Sequence, residues 1–192
     1  MVNSDSYLDF LERSLPTFNI SALDNPKELI SQFNFENNGT FVTDQKLGYL
    51  AQGDILTNLP FSFYDKESRI LKSNTMQGVL LSNTCDAERR EFLSFAPLIP
   101  IERITEGGNL KDDIVKKNEK NSLLYLPHID LQEYVADLNR IFTVPREIVE
   151  LLMEKDKIEK KYSLKQAGHY LLMTKLVVLF CRTESNEVSR IS

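Results

Sequence analysis

The side chains with the most chemical capacity follow one apolar run: Val79-Leu80-Leu81 leads into Ser82-Asn83-Thr84-Cys85-Asp86. A strand that exits into polar residues carries them to a sheet rim, where ligands and partners are met. Cys85 offers a thiol, Asp86 a carboxylate, and Asn83 and Thr84 an amide and a hydroxyl. A nucleophilic cysteine needs thiolate character and a base. A neighbouring carboxylate opposes a thiolate, whereas the nearby Arg89 and Arg90 favour one, and no histidine is close in sequence. The competing reading is a small buried thiol beside an Asp that closes a turn through its own backbone. Asn83, Thr84, Cys85 and Asp86 are therefore expected to form a ligand or partner rim, with no residue assigned as catalytic.

The remaining candidates are sparse. Asp54 follows Gly53 at a strand start, where an Asp fixes a turn by accepting backbone N–H groups. The two histidines are His128, beside Pro127 in a loop, and His169, on an apolar helical segment. Either would need an oriented partner to act as a base, and a packed role is expected for His169. Cys85 and Cys181 lie too far apart in sequence for a metal-type pair. No phosphate-binding glycine loop, dinucleotide fingerprint or zinc signature is present. No cofactor and no metal are expected. Lys155, Lys157, Lys160 and Lys161 alternate with Glu154, Asp156 and Glu159, and Lys111, Lys116, Lys117 and Lys120 are diluted by Asp112, Asp113 and Glu119. Such alternation describes solvated faces, and no aromatics interleave to stack bases.

Composition narrows the classes. The 192 residues carry 23 Lys+Arg against 28 Asp+Glu, a formal charge of −5, and 42% are hydrophobic. This is an ordinary globular composition, with no overall field to hold DNA. The most apolar run, Tyr170 to Cys181, is interrupted by Lys175 and falls short of the roughly 20 residues of a membrane span. No basic leader opens the chain, so a cytoplasmic location is expected.

The elements that must position these groups can be read from period and punctuation. Tyr7, Leu8, Leu11 and Leu15 recur at helical spacing before Pro16, and Asn25-Pro26-Lys27-Glu28 starts a short helix to about Phe33. Asn37-Asn38-Gly39 marks a turn before a strand over Thr40 to Thr43. Gly53 to Leu56, Gly78 to Ser82 and Phe92 to Ala96 read as short buried strands, joined between the first two by a long polar connection, Tyr64 to Thr75. Pro97 and Pro100 confine the third to an edge or a strand exit. Leu110 to Lys120 reads as a solvated helix, and Leu123 to Leu126 and Tyr134 to Phe142 as extended chain. Pro145 opens a helix to about Met153. Ser163-Leu164-Lys165-Gln166 is a capping box before a long helix to about Arg182, apolar nearly all round and so buried in the fold or in a partner.

Three short stretches carry a family resemblance: Gln52-Gly53-Asp54-Ile55-Leu56, Gln77 to Asp86, and Phe95-Ala96-Pro97-Leu98-Ile99-Pro100-Ile101. Their order resembles the core of PemK/MazF-like proteins, whose founding members are toxin ribonucleases of toxin–antitoxin systems. It looks closer to a divergent branch in which the second strand ends in a Ser/Asn-x-Cys-Asp turn. The resemblance covers about Gln52 to Glu102. It implies an SH3-like barrel, a dimer in many members, and metal-independent RNA cleavage in the toxins. Those toxins place an Arg in or after the loop between the first two strands, and a Ser or Thr after the Pro that ends a later strand. Here the nearest Arg is Arg69, Gln77 stands before the second strand, and Leu98 and Ile99 follow Pro97.

The resulting expectation is an α+β protein. A helical segment (1–39), an SH3-like barrel core (40–104) and a mixed segment ending in a buried helix (105–192) form one compact unit. The leading function is a PemK/MazF-like interaction or ligand-binding module of a bacterial or phage toxin–antitoxin or defence system, lacking the toxin's ribonuclease site. The alternatives are an endoribonuclease with a relocated site, built from Arg69, Cys85 and Asp86, and a small-ligand or nucleotide sensor. A protein partner or homodimer is expected, RNA is left open, and bulk DNA and membrane are not expected.

Overall fold

A computed structural model of the chain describes residues 41–45, 47–106, 110–128 and 130–180. The helices expected before residue 40, the Gly107-Gly108 loop, Cys181 and the end of the last helix lie outside the described residues. Among the described residues, eight strands form one antiparallel sheet, flanked by five helices. Its strands are β1 (Val42–Thr43), β2 (Ile55–Asp65), β3 (Ile70–Leu80), β4 (Phe92–Pro100), β5 (Leu123–Leu124), β6 (Tyr134–Asp137), β7 (Phe142–Pro145) and β8 (Lys160–Leu164). Its helices are α1 (Thr84–Ala87), α2 (Glu102–Thr105), α3 (Asp112–Lys116), α4 (Arg146–Glu154) and α5 (Gln166–Phe180). The strand order is β1-β8-β2-β3-β4-β6-β5, with β7 also on β4. Among the described residues the sheet does not close: β1 pairs only with β8 and β5 only with β6. The mixed α+β class and the long C-terminal helix are as expected.

The polar stretch expected as a connection between the first two strands is instead two strands. β2 and β3 pair from Ile55↔Val79 out to Asp65↔Ile70, so only residues 66–69 turn. Asp65 organises that turn. Its carboxylate accepts the Glu67 and Ser68 N–H groups, its carbonyl accepts the Arg69 N–H, and Lys72 pairs with it across the strands. These bonds, that to Lys72 first, hold the Asp65 carboxyl below its ordinary value. Arg69 takes a left-handed φ of 57° to close the turn. A bulge at Thr57-Asn58, with Asn58 at φ 54°, bends β2 where its partner β8 ends.

β4 is an interior strand, so of the edge or strand exit expected from its prolines the edge is not what forms, while Pro100 does end the strand. Its first half pairs with β7 and its second half with β6, while Phe95 to Pro97 face β3. Pro97, which has no N–H to give, stands where the β3 ladder stops and the β6 ladder starts. The proline is thus accommodated at a change of partner.

Three apolar clusters fill the interior. Leu171 and Leu172 of α5 pack on Ile55, Val79, Ala96 and Leu124, and Val149 of α4 packs with Leu56, Leu80 and Phe95. A third cluster joins Val115 of α3 to Ile101, Tyr125 and Val135. Each such side chain contributes about 1.5–3 kcal/mol on burial. Two glycines permit the close approaches. A Cβ on Gly168 would lie 2.3 Å from the Phe41 carbonyl oxygen, so α5 touches backbone there. Gly53 adopts φ 92° directly against Leu164.

The last helix departs from expectation at its start. Ser163 lies in β8 rather than capping α5, which begins at Gln166, because its hydroxyl is drawn to Asp54. Phe180 is 64% exposed. Lys175, the one charged interruption, is fully buried and donates to the Asn118 and Lys120 carbonyls at 2.9 and 3.0 Å.

Candidate functional site

The rim follows from how β3 ends. After Leu80 and Leu81, Ser82 accepts the Ser94 N–H and leaves the strand. Asn83 then caps α1: its side-chain oxygen accepts the Cys85 N–H at 3.0 Å, and its carbonyl accepts those of Asp86 and Ala87. An Asn at this position satisfies donors that a helix start otherwise leaves open. Cys85 is exposed, contrary to the buried thiol weighed from sequence. Asp86 does not close a turn with its carboxylate; it faces Arg90 at 3.3 Å.

Thr84 links this rim to two distant segments. Its hydroxyl accepts the Gln52 N–H at 3.1 Å. The Gln52 side-chain N–H donates to the Leu81 carbonyl at 2.7 Å, which turns the amide oxygen toward His169 Nε2, 3.2 Å away. Because that oxygen only accepts, His169 carries its proton on Nε2, and Nδ1 is left as an acceptor. Burial lowers the His169 pKa, so the ring is neutral near pH 7. The histidine expected to be merely packed is thus oriented by Gln52, to which the sequence alone assigns no role. Their separation of 117 positions left no local signal.

Arg69 is not part of this assembly. It sits at the tip of the β2–β3 hairpin, with all of β3 between it and the rim. At the usual rise per residue that is on the order of 30 Å. Arg69 therefore cannot share one reacting group with Cys85 and Asp86, which are themselves neighbours on α1.

Asp54 does fix a turn, through the Ala51 N–H at 2.7 Å. It does more: fully buried, it pairs with Lys160 at 2.7 Å and accepts the Ser163 hydroxyl at 2.7 Å. Lys160 also donates to the Leu47 and Tyr49 carbonyls. Lys160 thus belongs to the interior, not to the solvated face expected of its cluster. Lys116 and Lys117 do lie on such a face, paired with Asp112 and Asp113 one turn away.

His128 stands apart from the rim network. Its Nδ1 accepts the Asp130 N–H at 3.3 Å, and its ring lies 4.5 Å from that of Tyr162. The Tyr162 hydroxyl donates to Asp130 and holds that carboxyl low, while burial first, and then Asp130, push the phenol up to about 12. Among the described residues no group of three or more His, Cys, Asp and Glu is placed to hold a metal ion. No described helix is long and apolar enough to cross a membrane.

The fold and site together define an open antiparallel α+β protein with a hydrogen-bonded polar rim and a projecting hairpin. Comparison with protein-family models and with curated proteins finds no match.

Proposed function

We propose that this chain is a non-catalytic interaction module of PemK/MazF-like type, with β2, β3 and β4 as the core of an SH3-like sheet. The setting, a bacterial or phage toxin–antitoxin or defence system, rests on the sequence resemblance. The observation that carries the binding role is the hairpin. Beyond Leu59 and Met76, β2 and β3 pair among the described residues only with each other, and Ile70 to Thr75 are exposed throughout. Its outer part shows Phe63, Tyr64, Ile70 and Leu71 at 39, 61, 55 and 70% exposure. Apolar side chains concentrated on an unpaired ribbon mark a protein contact, as do its free edges. The separation of Arg69 from Cys85 and Asp86 argues against the ribonuclease reading, since phosphoryl chemistry needs its cation and proton carriers at one group.

The test is association with the hairpin altered. Light scattering on the purified protein, and recovery of a stoichiometric protein from the native host, are compared between the natural chain and a Tyr64→Ser/Leu71→Ser variant. Self-association or a stoichiometric partner that the variant loses, at unchanged melting temperature, supports the module. A variant that associates as before, or a chain that is monomeric and partnerless, overturns it. Incubation with total RNA in EDTA tests the alternative: site-specific cuts that vanish in Arg69→Ala would establish the enzyme.

A further inference from the structure

Away from the rim and the hairpin, β4, α2 and the β5–β6 pair line an open cleft of about 520 Å³. That volume suits a small organic ligand. Its apolar wall includes Ile99, Ile104, Leu110 and Leu123. Its polar wall carries three cations, Arg103, Lys120 and Arg140. Arg140 is held by Asp137, whose carboxylate meets Arg140 Nε at 3.1 Å and accepts the Asn139 N–H at 3.0 Å. That arrangement leaves the terminal guanidinium nitrogens of Arg140 available. Arg103 and Lys120 have no carboxylate partner among the described residues, and Glu106 is the remaining acid of the lining.

Two further polar side chains lie in or beside these walls. Ser122 is only 8% exposed, and its hydroxyl makes no hydrogen bond among the described residues, although its backbone carbonyl accepts the Leu138 N–H. An adjoining hollow of about 580 Å³ shares Lys120, Ser122 and Asn139, and there the Asn121 side-chain oxygen is buried with no partner. Glu119 also lines that hollow.

We propose that this cleft binds a small organic phosphate monoester. The available Arg140 nitrogens, Arg103 and Lys120 receive the phosphate, Ser122 donates to one of its oxygens, and Ile99, Leu110 and Leu123 cover a compact apolar body. Arginine offers the planar donor geometry that an oxyanion fills, and two further cations suit a dianion. The site is independent of the hairpin, so it stands or falls apart from the interaction reading.

Phenyl phosphate is the probe, with phenol and inorganic phosphate as controls at matched ionic strength, followed by calorimetry and thermal melting of the full chain. Phenyl phosphate is expected to saturate at or below roughly 1 mM and to raise the melting temperature, with each control at least about tenfold weaker. Arg103→Gln, which removes no ion pair among the described residues, is expected to weaken phenyl phosphate about tenfold. Ser122→Ala is expected to weaken it several-fold, and Leu71→Ser on the hairpin to leave it unchanged. No saturable binding up to roughly 10 mM, equal affinity for phenol, or undiminished binding by a folded Arg103→Gln/Lys120→Gln variant would overturn the proposal.

Discussion

The two ends of the β2–β3 hairpin are built from similar residues and live in different environments. At the base, Ile55, Leu56, Leu59, Val79 and Leu80 are fully buried, with β8 on one side and β4 on the other. At the tip, Phe63, Tyr64, Ile70 and Leu71 are equally apolar and stand in solvent. Among the described residues the tip is held by the cross-strand bonds, the Ser62–Ser73 hydroxyl pair, the Asp65–Lys72 pair and the Phe61–Phe63 stack, and it reaches beyond the ribbon only where the Phe61 ring meets Phe142 of β7. Strand formation here does not depend on burial. A continuous ladder closed by the Asp65 turn suffices, provided the base is anchored. The contrast separates residues that hold the fold from residues free to serve a contact.

The largest expected effect tests the anchor beside the base. Asp54→Ala would leave the buried Lys160 ammonium facing only the Leu47 and Tyr49 carbonyls. The expected loss is about 3–5 kcal/mol, read by chemical denaturation. A loss under about 1 kcal/mol would show that the base does not depend on this pair. Leu80→Ala, at the fully buried end of β3, is expected to cost about 2–5 kcal/mol by leaving a cavity.

Next comes the pH dependence of the other buried amine. Burial pulls the Lys175 pKa down to about 7 from 10.5, against the pull of two carbonyls that favour its charged form. Between those values the unfolded chain binds more protons than the folded one, so stability rises with pH from about 7 to 10.5. Below that window the penalty is constant. His169, also lowered by burial, adds a fall in stability as the pH drops below its ordinary 6.5. Denaturation measured across the alkaline range should show the rise, and Lys175→Met should flatten it. A natural chain with no alkaline gain would place the amine in contact with water.

The smallest effects belong to the tip and the rim. Leu71→Ser should change stability by less than about 0.5 kcal/mol, as for an exposed residue with few neighbours. Hydrogen exchange should be fast at Ile70 to Thr75 and slow at Val79 and Leu80 in the same strand, because opening the tip exposes little further apolar surface. Equal protection along β3 would mean that a partner or second copy covers the tip. Cys85 should react with iodoacetamide in the native state, and protection until unfolding would place a covering element over α1.

Much of the fold was legible locally. Gly53 to Leu56, Gly78 to Ser82 and Phe92 to Ala96 all lie on or beside observed strands, and Pro145 does precede a helix. Those signals are periodicity, glycine and proline, and they act within a few residues. The Asp54 turn was legible for the same reason, since its Ala51 partner is three positions away. Local reading failed where the partner was remote. Ser163 has the spacing of a helix cap, yet it binds Asp54, 109 positions earlier, because a buried carboxylate outbids a solvent-facing helix end. Gln52 and His169 were unrelated letters until the sheet brought them together. The hairpin was missed because its outer strand mixes Lys72, Ser73 and Asn74 with Ile70 and Leu71, and an exposed ribbon has no buried face to impose alternation. Sequence determined the breaks at glycine and proline and which segments are apolar. Tertiary structure decided which polar groups meet and which apolar groups stay in water, because those outcomes depend on contacts between residues far apart along the chain.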